Sequence, residues 1–410
     1  MISGLMQKTD IGMIPADWEL RPLAELGEPK IGLTYSPADV RESGTLVLRS
    51  SNVQNDRLAF GDNVYVRSEI ANGSLVEPGD ILICVRNGSR ALIGKCALID
   101  ESAKGMAFGA FMSVFRSPHS AFLFQQFRSD IIGRQIAEHL GATINQITNG
   151  SLKSFRVPFP PNAEERGRIA KALNDIDDLI ASLDALIAKK RDVKQGAMKG
   201  LLTGQRRLAG FSGKWDEVTL GGLGVFLKGA GVRRDQAQSG EIPCVRYGEL
   251  YTRHHNIIRS FGSYVSRNVA ATATPLKFGD ILFAGSGETK EEIGKCAAFL
   301  GTHEAVAGGD IIIFRPKGQC SSYLGYVLNL PAVAQQKAGY AQGDAVVHVA
   351  SASLARITLR IPKLGEQKAI AGVIEAFASE LEALVDRRTK LLRVRQGMMQ
   401  QLLTGRIRLV

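Results

Sequence analysis

The stretch Gly88-Ser89-Arg90-Ala91-Leu92-Ile93-Gly94-Lys95-Cys96 is where this sequence comes nearest to catalytic chemistry, because it resembles a loop that cradles nucleotide phosphates. In such a loop four residues separate the glycines, and a Ser or Thr after the lysine holds magnesium. Here five residues separate Gly88 from Gly94, and Cys96 stands in the magnesium position. A strand running through a turn is the better reading. Gly109 and the glycines near 221–231 lack a dinucleotide-binding spacing. His254-His255 and His303 have no metal-ligand spacing, and the adjacent pair reads as a polar turn. The five cysteines, Cys84, Cys96, Cys244, Cys296 and Cys320, form no C-x-x-C pair, which argues against a zinc or redox site. No Ser or Cys nucleophile elbow is present. The expectation is a chain that catalyses nothing alone and carries neither cofactor nor metal.

With catalysis set aside, charge speaks to partners. Lys and Arg number 51 against 40 Asp and Glu, for a net charge of +11 and a pI of about 9.5. Nucleic acid is the first partner such an excess suggests, and an ordinary basic soluble protein is the alternative. The composition, 45% hydrophobic and 22% charged, is that of a globular chain. At 410 residues it exceeds one hydrophobic core, so two or more domains are expected. The opening residues are too polar for a secretory signal, and no apolar run reaches membrane-spanning length. An odd cysteine count without a signal points to a reducing compartment. A cytoplasmic location is expected.

The sequence repeats itself once. The only tryptophans, Trp18 and Trp215, open similar phrases: Leu23, Leu26 and Gly27 follow the first, Leu220, Leu223 and Gly224 the second. Gly79-Asp80-Ile81-Leu82 recurs as Gly279-Asp280-Ile281-Leu282, and Ile93-Gly94-Lys95-Cys96-Ala97 recurs at Ile293 to Ala297. Leu201-Leu202-Thr203-Gly204 recurs as Leu402-Leu403-Thr404-Gly405. Between these phrases the halves differ widely. Two modules doing one job on two targets would look like this.

Each half must position its residues with two kinds of element. First come short apolar runs cut by turn residues, among them TLVLRSSN, DILICVRNGS and AFMSVFRSPH, then EIPCVRYGEL, DILFAGSGET and DIIIFRPKG. These read as short strands, interrupted by one helix near Phe122–His139 and its counterpart near Tyr323–Ala338. A long helix then follows. Asn162 is placed to cap the first, with Glu165 completing a capping box. Its apolar row, Ile169, Leu173, Ile176, Ile180, Leu183, Ile187, Ala197 and Leu201, is broken only by Lys190 and Lys194. The second row, Ile370, Ile374, Phe377, Leu381, Leu384, Leu391, Met398 and Leu402, is interrupted by Arg388 and Arg395. Alternating steps of four and three predict a coiled-coil seam. The fold class is therefore α+β: two similar mixed α/β domains joined by two long helices, with a pseudo-two-fold internal repeat. The expected boundaries are 1–160, 161–204, 205–361 and 362–410, domain and helical spacer alternating.

Taken in order and twice over, these phrases resemble the specificity subunits of type I restriction–modification enzymes, across essentially the whole length. The matching residues include Ile14-Pro15-Ala16-Asp17-Trp18-Glu19-Leu20 and the Gly-Asp-Ile-Leu phrase of each half. Gly141-Ala142-Thr143 leading to Leu152 and Pro160-Pro161 also match, as does Gly343 to His348 leading to Leu354 and Pro362. The helix openings at Glu165-Arg166 and Glu366-Gln367-Lys368 fit, while Glu164 and Gly365 depart from the usual pattern. The resemblance implies two target-recognition domains, each reading half of a bipartite, asymmetric DNA site. It also implies double-stranded DNA, two adenine-methyltransferase subunits and restriction/translocase subunits as partners. A pseudo-two-fold relation between the modules predicts that the two helices run antiparallel.

Candidate DNA-contacting residues are polar and basic side chains at strand ends and loops. In the first domain they are Arg49, Asn52, Arg86, Asn87, Ser89, Arg90, Lys95 and Gln146. In the second they are Arg246, Tyr247, Ser286, Glu288, Thr289, Lys290, Lys295 and His348. Arg49 matches Arg246 in the repeat, and Arg86 matches Ser286. Any one cation here is as plausible a phosphate contact or solvated charge as a base reader. Lys95 and Lys295, identical in the two halves, suit phosphate contact or structure better than discrimination. A non-catalytic scaffold binding protein partners is the competing reading. A lone methyltransferase is disfavoured, because no cofactor-binding glycine motif or Asn/Asp-Pro-Pro-aromatic phrase occurs.

Overall fold

A computed structural model describes residues 5–140, 145–238, 240–343 and 346–410. Gly141-Ala142-Thr143, and part of the phrase from Gly343 to His348, lie outside the described residues. The chain forms two compact units, residues 1–185 with 386–410, and residues 186–385.

In the first unit a four-stranded sheet has the order Cys96–Leu98, Ile81–Cys84, Met112–Arg116, Glu28–Ile31, every pair antiparallel. A second sheet centres on Thr45–Leu48, parallel to Ala107–Phe108 and antiparallel to Tyr65–Val66. The strands Glu19–Pro22 and Arg156–Phe159 pair antiparallel, bringing the start and end of the strand-rich region together. Trp18, Leu23, Phe115, Leu123 and Ile132 share one core cluster with Ile169, Leu173, Leu402 and Leu403 from the two long helices.

The second unit repeats these pairings. Ile281–Ala284 lies between Cys296–Phe299 and Ile311–Pro316, and Gly224–Lys228 lies beyond the latter. Ile81 faces Phe115 in the first unit, and Ile281 faces Phe314 in the second. Ile242–Val245 runs parallel to Val306–Ala307 and antiparallel to Ser263–Val265. An added edge strand, Asn256–Ile258, makes this main sheet five-stranded. Asp216–Thr219 pairs with Thr358–Ile361 to close the unit. Trp215, Tyr323 and Phe283 pack with Leu201, Leu202, Ile370 and Ile374 in its core.

The aspartate of each Gly-Asp-Ile-Leu phrase belongs to this scaffold. Asp80 is buried and takes two hydrogen bonds of 2.7 Å from Arg116, while Asp280 takes the matching pair from Arg315. Each aspartate also accepts a backbone N–H three residues before it, from Glu77 and Lys277. A buried carboxylate needs this degree of satisfaction to stay charged.

The single helices expected near Phe122–His139 and Tyr323–Ala338 are each two. Ser120–Phe127 and Asp130–His139 are separated because Ser129 accepts the Ile131 N–H and starts a new helix. Ser321–Val327 and Pro331–Gly339 are separated by Pro331, which cannot continue a preceding helix.

The long helices span Ala163–Leu202 and Leu364–Leu402, each about 60 Å at 1.5 Å per residue. Asn162 caps the first, its side chain accepting the Glu164 N–H at 2.8 Å. Glu165 does not complete a capping box. It is fully buried and receives two hydrogen bonds from Arg408, because a guanidinium fork satisfies a buried carboxylate better than one N–H. Gly204 and Gly405 end the helical segments with φ of 74° and 68°, backbone that other residues adopt at a cost. Ile169, Leu173, Ile176, Ile180, Leu183 and Ile187 are all buried. Three of the four cations that interrupt the apolar rows find acids on the other long helix. Arg395 meets Asp177 at 2.6 Å and Arg388 meets Asp184 in the first unit, and Lys190 meets Glu380 at 2.6 Å in the second. No described helix is long and apolar enough to cross a membrane.

Candidate nucleic-acid interface

The loop resembling a phosphate cradle is built as strand and turn. Arg90–Leu92 forms one 3-10 turn, Gly94 follows at φ 89°, and Cys96 begins a strand rather than a helix. A phosphate-binding loop needs a helix N-terminus at that point. Cys84, Cys96, Cys244 and Cys296 are buried, and burial raises the pKa of each thiol, leaving none as a thiolate nucleophile. Among the described residues no group of three or more His, Cys, Asp or Glu could hold a metal. His254 is not in a polar turn: it is 2% exposed, with Nε2 unpartnered, and burial lowers its pKa.

Two loops in each unit carry the sequence-derived candidates. The first is the turn headed by Arg49 or Arg246. The Arg49 N–H donates to Asn52 Oδ1, and the Arg246 N–H donates to Glu249 Oε2, both at 2.9 Å. Asn52 is fully buried, its amide donating to the carbonyls of Ala59 and Asp62. It holds the turn and has no edge left for a base, which corrects its place among the DNA-facing residues. Arg49 pairs with Asp62 at 2.9 Å, and the Nε atoms of both Arg49 and Arg246 are buried without a partner. Tyr247, next in the second turn, is exposed.

The second loop leaves the end of the central strand. In the first unit the Phe111 carbonyl accepts the N–H groups of Val85 and Arg86, at 3.0 and 3.1 Å. Arg86 is exposed, bridges to Gln146, and places its guanidinium 5.1 Å from the centroid of the Phe111 ring. Asn87 donates to Ser50 Oγ at 3.1 Å, tying this loop to the Arg49 turn, and accepts the Ser89 N–H. Arg90 reaches the Ala137 carbonyl at 3.0 Å. The structure thus gathers Arg49, Arg86, Asn87, Ser89 and Gln146 around two hydrogen-bonded loops.

In the second unit the Asp310 carbonyl takes the place of Phe111's, accepting the Gly285 N–H at 2.8 Å. Ser286 pairs with His348 along the backbone, and its Oγ lies 2.9 Å from His348 Nδ1. Ser286 is buried, so His348, exposed beside it, is the side chain this pair presents. The Tyr251 hydroxyl donates to the Ser286 carbonyl at 2.9 Å, and burial pushes its phenol up to about 12. Glu288, Thr289 and Lys290 are exposed on the loop that follows. Lys95 and Lys295 play one part in both units. Their Nζ atoms donate to the carbonyls of Val53 and Tyr251, at 2.7 and 3.2 Å, and both lysines are half-buried. They act as struts under the loops.

Three residues in these loops escaped the sequence reading. Phe111 stood inside an apolar run that reads as strand interior, so nothing marked it as exposed. Ser50 and Tyr251 act through hydrogen bonds between segments far apart in sequence, which periodicity does not reveal.

Known proteins resemble this chain in sequence and in fold. The family model described as Type I restriction modification DNA specificity domain matches twice, at residues 15–189 and 212–392. The presumed type I restriction enzyme MjaX specificity subunit of Methanocaldococcus jannaschii is 26% identical over 440 residues, covering 98% of this chain and 96% of its own. The type I restriction enzyme EcoKI specificity subunit of Escherichia coli is 28% identical over 212 residues, covering 47% of this chain and 45% of its own. Among solved structures, the type I restriction–modification S subunit of M. genitalium superposes with a TM-score of 0.59 at 16% identity, over 94% of this chain and 96% of its own. The HsdS subunit of Thermoanaerobacter tengcongensis gives a TM-score of 0.50 at 17% identity, over 96% and 98%. At these identities the structural likeness is one of fold. Matched by two domain copies over most of its length, this chain belongs to the type I restriction modification DNA specificity family.

Proposed function

We propose that this chain is the DNA-recognition subunit of a type I restriction–modification enzyme, each domain reading one half of a bipartite, asymmetric site. One observation carries the reading. At the end of the central strand both units use a matched carbonyl to take one matched N–H, Val85 onto Phe111 in the first and Gly285 onto Asp310 in the second, yet the first exposes Arg86 and Phe111 and the second exposes Asp310 and His348. A shared frame with unlike side chains suits modules that read different bases. The net charge of +11 suits a polyanion.

In this reading the two long helices form an antiparallel coiled coil whose length sets the gap between half-sites. The interhelical ion pairs support it: partners fall from 395 to 388 to 380 as the first helix runs from 177 to 184 to 190. Two adenine-methyltransferase subunits dock on the chain and supply the methyl-transfer chemistry. Restriction/translocase subunits join for cleavage. The chain itself is non-catalytic and acts in the cytoplasm.

The test is binding to long duplex DNA across a salt series, followed by methylation mapping with the methyltransferase subunits added. The expected results are affinity that falls steeply with salt and adenine methylation at a two-part site. Salt-insensitive or absent DNA binding, with retention of protein partners, would favour the scaffold reading. Methyl transfer by the purified chain alone would refute the assigned role.

A further inference from the structure

Phe111 is 57% exposed, whereas Phe108 and Phe115 on the adjoining strands are buried. A lone exposed aromatic is ordinary on a protein surface. This one differs in how firmly it is held. The Met112 N–H closes a tight turn onto the Gly109 carbonyl at 2.8 Å. The Ala110 N–H donates to Leu33, and the Phe111 carbonyl takes both Val85 and Arg86. Gly109 packs so closely on Gly32 that a Cβ on Gly32 would lie 2.2 Å from the Gly109 oxygen. The backbone that carries the ring is held by these hydrogen bonds, while the residue itself is more than half exposed.

Arg86 lies over that ring, its guanidinium 5.1 Å from the centroid, so the aromatic restrains a side chain that would otherwise sample many rotamers. Gln146, bridged to Arg86, stands alongside. The second unit keeps the carbonyl in the same role but puts Asp310 there, at φ 60°, with Ser286 in place of Arg86. The aromatic and its arginine are therefore particular to one half of the repeat.

We propose that Phe111 is a specificity-determining residue of the first domain, its exposed ring meeting the C5-methyl group of a thymine and its contact with Arg86 orienting that arginine toward an adjacent guanine. Apolar contact is how a protein recognises the thymine methyl in the major groove, and bidentate pairing is how arginine recognises guanine. A flexible arginine would lose rotamer entropy on pairing, and a stacked one loses less. The assignment rests on the DNA-recognition reading above.

The experiment reconstitutes the full chain with its methyltransferase subunits and measures methylation of a library in which each base pair of the site is varied. Phe111→Ala should relax one thymine position of the first half-site by about tenfold, the scale of one mismatched base pair, and weaken discrimination at its neighbour. Arg86→Lys should relax the neighbouring guanine alone, because lysine lacks the planar fork. Replacing that thymine with deoxyuridine removes only the methyl group. This should lower methylation by the unmodified chain and leave Phe111→Ala unaffected. The second half-site should read as before in every case, which also shows that the variants fold. If Phe111→Ala keeps full discrimination at every first-half position, or deoxyuridine acts equally on both proteins, the assignment to Phe111 is wrong and the two-domain reading stands. If the unmodified chain discriminates at neither half-site, the DNA-recognition reading itself fails.

Discussion

Arg408 lies 5.5 Å above the centroid of the Trp18 ring, although the two are 390 positions apart in sequence. Its guanidinium also forks onto Glu165, which is wholly buried, and onto Asp17 at 2.8 Å. Arg207 does the same in the second unit, pairing with Glu366 at 2.6 Å and lying 5.7 Å from Trp215. The segment after each long helix thus locks the start of a recognition domain to the start of the other helix.

Removing this arginine leaves a buried carboxylate without a counter-ion. Arg408→Ala should therefore destabilise the first unit by about 3–5 kcal/mol. Arg408→Met combined with Glu165→Met should recover most of that loss, because no buried charge remains. Denaturant titration of the single and double variants measures both effects. A loss under 1 kcal/mol for Arg408→Ala would show that the fork is dispensable.

Acid should act on the second unit through His254. Its ring is buried with Nε2 unpartnered, and desolvation lowers its pKa from 6.5, while Glu249 opposes that shift and Arg253 and His255 add to it. The unfolded chain then takes up a proton near pH 6.5 that the folded unit refuses. Stability from this group is present above about pH 6.5 and drains away as the pH falls below it. His254→Phe, which cannot titrate, should flatten the fall in melting temperature between pH 7 and pH 5.5. An unchanged slope would place the acid sensitivity elsewhere.

Exchange of one recognition domain for a relative's should change one half-site and leave the other alone. The structure says where to cut. Glu19–Pro22 pairs with Arg156–Phe159, so a replacement that stopped at residue 155 would split a strand pair, and one running from residue 14 through 159 keeps it whole. Methylation mapping of the chimera decides the matter. A change in both half-sites would mean that the domains do not read separately.

What could be read from sequence was what repeats or has a period. The Gly-Asp-Ile-Leu phrases announced two copies of a scaffold, and the structure shows why: Asp80 and Asp280 anchor Arg116 and Arg315 inside each sheet. The long helices followed from steps of four and three. Residues fixed by contacts across long separations were misjudged. Asn52 looked like a base reader because it is polar and lies in a loop, yet it is the buried clasp of that loop. Glu165 sat at the right spacing for a capping box, yet Arg408, at the far end of the chain, claims it. Local spacing cannot weigh a partner more than two hundred residues away.

The spacing of the ion pairs along the helices makes their role as a ruler testable. Pairs at 177 with 395, 184 with 388, and 190 with 380 mean that lengthening only one helix would shift every later pair out of register. The insertion must enter both helices at facing positions, and the boundaries at 185/186 and 385/386 between compact units mark the place. Seven residues in each helix add about 10 Å and return the seam to nearly the same face. DNA rises about 3.4 Å per base pair, so the gap between half-sites should grow by about three base pairs. Two residues in each helix would turn the apolar row beyond the insertion by roughly 200° relative to the row before it and should abolish activity by breaking the continuity of the seam. Neither insertion touches a reading loop, so both half-site sequences should stay as they were. Mapping methylated adenines in the seven-residue variant gives the gap directly, and an unchanged gap with full activity would mean that the helices do not set it.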